Sequence, residues 1–158
     1  MKKLLIYTGP VKSGKSTKLL SFVQNGKDIG GILSPLIDGK RYLYEISSGK
    51  KKLLEADSTE KEVDIVTVGR YKFKKNVFEW AKEVLQKASV ENYSYLIIDE
   101  IGPLEFEGRG LAPVANEIIS KNISYFPKVL VVVRETLVAK FLEHFSLNLE
   151  DVDFFNLD

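Results

Sequence analysis

Near the start of the chain a short apolar run, Leu4 to Tyr7 (LLIY), leads through Thr8 into GPVKSGKST, residues 9 to 17. No other stretch limits the possible folds so tightly. Gly9-Pro10-Val11-Lys12-Ser13-Gly14-Lys15-Ser16 matches G-x-x-x-x-G-K-[ST] without a gap. The glycines permit close backbone approaches that a Cβ would block. Successive N–H groups of such a loop turn inward as an anion nest, and the helix behind it adds partial positive charge. Lys15 can reach β- and γ-phosphates, and the Ser16 hydroxyl can ligate Mg²⁺. Thr17 either contacts the α-phosphate or starts the helix. The motif carries weight only between a strand and a helix, and both patterns are present. LLIY reads as a strand buried on both faces. KSTKLLSFVQNG reads as a helix with Leu19, Leu20, Phe22 and Val23 inside and Asn25-Gly26 as its stop.

The rest of the chain alternates in the same way. GGILSP (Gly30 to Pro35), VDIVTVG (Val63 to Gly69), YSYLIIDE and KVLVVVR (Lys128 to Arg134) read as strands. From Phe73 to Ala88, Val77, Trp80, Ala81, Val84, Leu85 and Ala88 follow helical spacing. Leu111, Val114, Ala115, Ile118 and Ile119 mark another helix, with Pro113 in its first turn. Leu137, Val138, Phe141 and Leu142 mark a last one. DVDFFNLD is expected to add a short edge strand. Between these, RYLYEIS and KKLLEA, punctuated by Asp38-Gly39 and Ser48-Gly49, predict a small antiparallel meander, with GKKK (Gly49 to Lys52) as a solvated turn. Strand–helix alternation with apolar strands indicates an α/β fold: a mostly parallel sheet flanked by helices. With no repeat, linker or low-complexity segment, residues 1–158 are expected to form one domain.

In such a sheet, ligands bind at the carboxyl ends of the strands. YLIIDE, Tyr95 to Glu100, runs four largely apolar residues into Asp99 there. An acid so placed holds Mg²⁺, and Glu100 beside it can orient or deprotonate an attacking water. Arg134 closes its strand at the same edge, where a cation stabilises charge on a γ-phosphate; the position equally suits a surface arginine. Arg70 in TVGRY has weaker claims by the same logic. Arg109, between glycines, reads as solvent-facing, and His144 as structural or exposed. The catalytic set is Lys15, Glu100 and Arg134; the metal set is Ser16 and Asp99; the nucleotide-binding set runs from Gly9 to Thr17.

Composition removes other function classes. The chain has no cysteine and one histidine, which excludes disulfides, thiolate metal sites and histidine-rich ones. With 23 Lys and Arg against 22 Asp and Glu there is no broad basic field, which argues against nucleic-acid and membrane partners. No apolar run nears the ~20 residues of a membrane span. MKKLLIYTGP begins like a signal peptide, but its apolar run is far shorter than the roughly 7–15 residues of an h-region. A cytoplasmic protein is expected.

The motif order resembles one family, the small P-loop nucleoside-triphosphatases of the THEP-type nucleotide phosphatase/kinase group. The segments that carry the resemblance are GPVKSGKST, GGILSP, VGRYKF, VLVVVRE and above all IIDEIGPLEF, Ile97 to Phe106. The stretch from Ile37 to Ala56 departs from the pattern, lacking a full basic, glycine-rich segment. The resemblance implies a RecA-like core and Mg²⁺-dependent hydrolysis of nucleoside triphosphates (ATP, GTP and others) to diphosphate and phosphate. It implies phosphate and metal roles for Lys15 and Ser16, a metal role for Asp99 and a water-activating role for Glu100. Two alternatives stay open. One is a kinase acting on a nucleotide, nucleoside or small metabolite, although four arginines (Arg41, Arg70, Arg109 and Arg134) make no arginine-rich lid. The other is a nucleotide-binding switch with slow turnover. The protein partner is unknown at this level.

Overall fold

A computed structural model of the protein describes residues 4–9, 15–26, 28–121 and 128–157, with Ser16 described in its backbone only. The strands in chain order are β1 (Leu4–Tyr7), β2 (Ile29–Leu33), β3 (Leu36–Ile37), β4 (Lys40–Glu45), β5 (Lys51–Leu53), β6 (Ile65–Val68), β7 (Tyr71–Lys74), β8 (Tyr95–Asp99), β9 (Lys128–Val132) and β10 (Val152–Phe154). The helices are α1 (Lys15–Asn25), α2 (Lys75–Ser89), α3 (Pro103–Phe106), α4 (Val114–Ser120) and α5 (Val138–His144). The main sheet runs β10-β1-β9-β8-β2-β4-β3, with β5 beside β4. From β10 to β2 every pairing is parallel, as in Leu5 opposite Leu130 and Ile97 opposite both Leu130 and Gly31. β4 then turns back antiparallel on β2, β3 and β5. This is the expected mostly parallel sheet with an antiparallel meander on one flank.

The period of two in the strands sorts side chains into two layers. Leu96, Ile98, Val129 and Val131 face the layer containing α2, together with Leu4, Ile6 and Val152. Ile97, Leu130 and Val132 face the opposite layer with Leu19 and Val23 of α1. Helix α2 buries Val77, Phe78, Ala81, Val84, Leu85 and Ala88, one stripe at helical spacing. Each buried Val, Leu or Phe contributes roughly 1.5–3 kcal/mol, so burial of the stripe, not local propensity, holds the helix to the sheet. On α1, Leu19 and Val23 are buried, while Leu20 and Phe22 are only partly so.

Gly31 sits where β2 crosses β8. Its φ is +113°, and a Cβ there would collide with the carbonyl oxygen of Ile97. Only glycine lets these two strands approach so closely.

Three sequence expectations are corrected. Phe73 belongs to β7, not to the helix that follows, because β7 pairs with β6 and bridges Glu55. Lys51 and Lys52 lie in β5 rather than in a turn; Lys52 covers the Trp80 ring at 4.9 Å. Leu111 precedes its helix: Pro113 is the N-cap, its peptide bond with Ala112 is cis, and α4 begins at Val114. The tail does form an edge strand, β10, parallel to β1. Among the described residues no helix is long and apolar enough to cross a membrane.

Candidate active site

Parallel pairing brings the carboxyl ends of β1, β9, β8 and β2 to one edge of the sheet. Thr8 and Gly9, Val133 and Arg134, Asp99 and Glu100, and Ser34 follow from those ends. Strand β9 lies between the strand that precedes the phosphate loop and the strand that ends in Asp99.

Gly9 and Lys15 bracket the loop. The Lys15 ammonium donates to the Gly9 carbonyl at 3.4 Å, and the Glu135 N–H reaches the same oxygen at 3.3 Å. Pro10, Val11, Lys12, Ser13 and Gly14 lie outside the described residues, as does the Ser16 side chain. Thr17 is exposed in the first turn of α1. The Thr8 hydroxyl, just before the loop, is buried and has no hydrogen-bond partner among the described residues.

Asp99 is 3% exposed, and its Oδ2 accepts the Ser34 N–H at 3.0 Å. Burial pushes its pKa up to about 7, the Glu100 charge adds to the rise, and the Ser34 N–H, Arg41 and Lys15 oppose it. Among the described residues no cluster of three or more His, Cys, Asp or Glu could cage a metal. A single strand-end carboxylate is nevertheless the donor set that suits Mg²⁺, which keeps waters and phosphate oxygens as its other ligands. The residues present fit that ion.

Glu100 continues from Asp99 through a cis peptide bond. Its Oε1 stands 3.6 Å from Nη2 of Arg134, both side chains partly open to solvent. The structure thus brings together Gly9, Lys15, Asp99, Glu100 and Arg134. It does not bring in Arg109, which pairs with Glu107 at 3.1 Å on the surface. Arg70 lies at the tip of the β6–β7 hairpin against the Tyr71 ring, 5.3 Å from its centroid. His144 packs between Phe106 and Phe145.

Two residues escape sequence reasoning. Arg41, on β4, donates from Nη1 to the Ser34 carbonyl at 2.5 Å while its own N–H reaches Glu55 Oε2 at 2.7 Å. The meander therefore does contribute a cation to the site, one that acts on Asp99. Glu105, on α3, is 5% exposed; its Oε1 accepts the Gly102 N–H and its Oε2 the Leu111 N–H, both at 2.9 Å. The only sequence signal for either was proximity to a motif: Glu105 inside IIDEIGPLEF, Arg41 just after the Asp38-Gly39 turn.

Comparison with known proteins bears on the family and the fold. A family model described as NTPase matches residues 4–158. The nucleoside-triphosphatase THEP1 of Methanothermobacter thermautotrophicus is 34% identical over 131 residues, 77% of this chain and 72% of that protein. A geranylgeranyl diphosphate synthase of Saccharolobus solfataricus is 28% identical over 114 residues, 72% of this chain but 33% of that protein. The crystal structure of THEP1 from Aquifex aeolicus superposes with a TM-score of 0.71 over 99% of this chain and 90% of that one, at 21% identity, which supports the fold. This chain belongs to the NTPase family, as a nucleoside-triphosphatase of P-loop fold.

Proposed function

We propose that the protein hydrolyses nucleoside triphosphates to diphosphate and phosphate in a Mg²⁺-dependent reaction, with Glu100 activating the water. The observation that carries this reading is the placement of Glu100 directly beside buried Asp99 and 3.6 Å from Arg134. Asp99 and Ser16 would hold the metal, which when bound neutralises charge on the β- and γ-phosphates. Lys15 binds the same phosphates. Glu100 takes a proton from water as the water oxygen forms a bond to the γ-phosphorus. The bond from that phosphorus to the β–γ bridging oxygen breaks, and the diphosphate leaves with the electron pair. Arg134, held at the same edge, stabilises the charge that gathers on the γ-phosphoryl oxygens. The reading extends to ATP, GTP and others, in line with an archaeal relative named a nucleoside-triphosphatase.

The test is a panel of nucleoside triphosphates with Mg²⁺, with and without candidate acceptors, on wild type and Glu100→Gln. Hydrolysis predicts free phosphate as the product and a fall in kcat of ~10²-fold or more in the variant, with nucleotide affinity kept. Phosphate appearing on an organic acceptor faster than in solution would establish the kinase alternative. Near-normal turnover in the variant would move the base elsewhere.

A further inference from the structure

The loop that carries Glu100 is held from both sides. The Ile101 N–H reaches the Val132 carbonyl at 3.0 Å, which ties it to the end of β9. The next N–H, that of Gly102, goes to Glu105. Glu105 then spans from Gly102 to Leu111 with its two carboxylate oxygens, and its own carbonyl accepts the Asn116 amide at 3.1 Å. Gly110 has φ +63°, and a Cβ there would collide with Glu105 Oε2, so the 110 segment is shaped around this carboxylate.

Capping alone does not account for the arrangement. One oxygen on the Gly102 N–H would complete the cap of α3, which has only four residues. A buried carboxylate carries a desolvation cost that such a cap does not offset. The second oxygen links the Glu100 loop to the segment leading into α4, a connection that fixes geometry more than it adds stability. The Glu105 carboxyl also senses the Glu100 charge.

We propose that Glu105 is a positioning residue for Glu100: it locks the backbone immediately after the water-activating carboxylate and so fixes where that carboxylate points. This rests on the reading of Glu100 as the base. Glu105 touches neither phosphate nor water in this role, so its loss lowers kcat and leaves triphosphate binding intact.

The experiment measures kcat, KM and the affinity of a fluorescent triphosphate analogue for wild type, Glu105→Gln, Glu105→Asp, Glu100→Gln and the Glu100→Gln/Glu105→Gln double variant. Glutamine keeps the volume but offers an NH₂ to one of the two donors. Aspartate keeps the charge but is one methylene too short to reach both, and it serves if the glutamine variant does not fold. Expected is a ~10- to 100-fold fall in kcat for either Glu105 variant, less than twofold change in KM and analogue affinity, and no further slowing when Glu105→Gln is added to Glu100→Gln. Unchanged kcat in a folded Glu105 variant overturns the proposal. So does a loss of affinity that accounts for the fall, or an equal fold-loss in the Glu100→Gln background. Normal turnover in Glu100→Gln alone instead removes the reading beneath it.

Discussion

Replacing Glu105 by glutamine should flatten the pH dependence of stability in a way the structure sizes. Burial pushes the Glu105 carboxyl from an ordinary 4.5 up to about 7; the Leu111 and Gly102 N–H groups pull it back in part, and the Glu100 charge adds to the rise. The folded-state value thus lies above the unfolded one. Between these values the folded chain holds a proton that the unfolded chain has released, so stability falls as pH rises. At about 1.4 kcal/mol per pH unit the whole effect is roughly 3.4 kcal/mol, and about 2.5 kcal/mol of it falls between pH 5 and 8. The variant has no such group. Its absolute stability also changes through a lost hydrogen bond, but that loss is common to both pH values and cancels in the comparison. Urea unfolding without nucleotide or Mg²⁺, at constant ionic strength, should therefore show wild type losing about 2–3 kcal/mol more than Glu105→Gln from pH 5 to pH 8. Asp99 titrates in the same direction but is present in both proteins. A difference under about 0.5 kcal/mol, or one of opposite sign, would mean that the two N–H groups outweigh burial, and the reasoning would fail.

Other perturbations separate the remaining roles. Lys15→Ala should weaken triphosphate binding roughly 10- to 100-fold by titration with a fluorescent analogue; equal affinity would remove the phosphate-loop assignment. Arg134→Ala should lower kcat on the order of 10²-fold with nucleotide affinity unchanged, the mark of a contact made in the transition state; a matching loss of affinity would refute that role. Gly31→Ala must adopt φ +113° and push a methyl into the Ile97 carbonyl. It should cost about 3 kcal/mol or more by denaturant midpoint, and a loss under about 1 kcal/mol would show that β2 and β8 can separate cheaply.

What was legible in the sequence followed from local pattern. Asp99 and Glu100 could be placed because an apolar run ends in them, and a parallel sheet sends such ends to the ligand edge. The stripe on α2 was readable because its period is set within one helix. Arg41 was not, because its place depends on β4 folding back on β2 and on Ser34 presenting a carbonyl to it. Glu105 looks like any acid on a short amphipathic turn until Leu111 comes round to its second oxygen. Phe73 was misassigned because its apolar side chain suits either period; pairing with Val66 across a hairpin decided it. The insertion of β9 between β1 and β8 is likewise a long-range fact with no local trace.

The pairing of β1 with β9 and β10 constrains how the protein can be made. The strand Leu4–Tyr7 leaves the ribosome long before its neighbours at Lys128–Val132 and Val152–Phe154. At ordinary synthesis rates that interval is roughly six to thirty seconds. Through it the apolar LLIY segment lacks its partner strands, and closing so long a loop slows the step that finally docks it. The nascent chain cannot form a complete nucleotide site in that time, so bound triphosphate stabilises the finished fold and not its precursors. A protein shortened just before Val152 would leave β1 as an open edge, the strand leading into the phosphate loop exposed to strand addition by other chains.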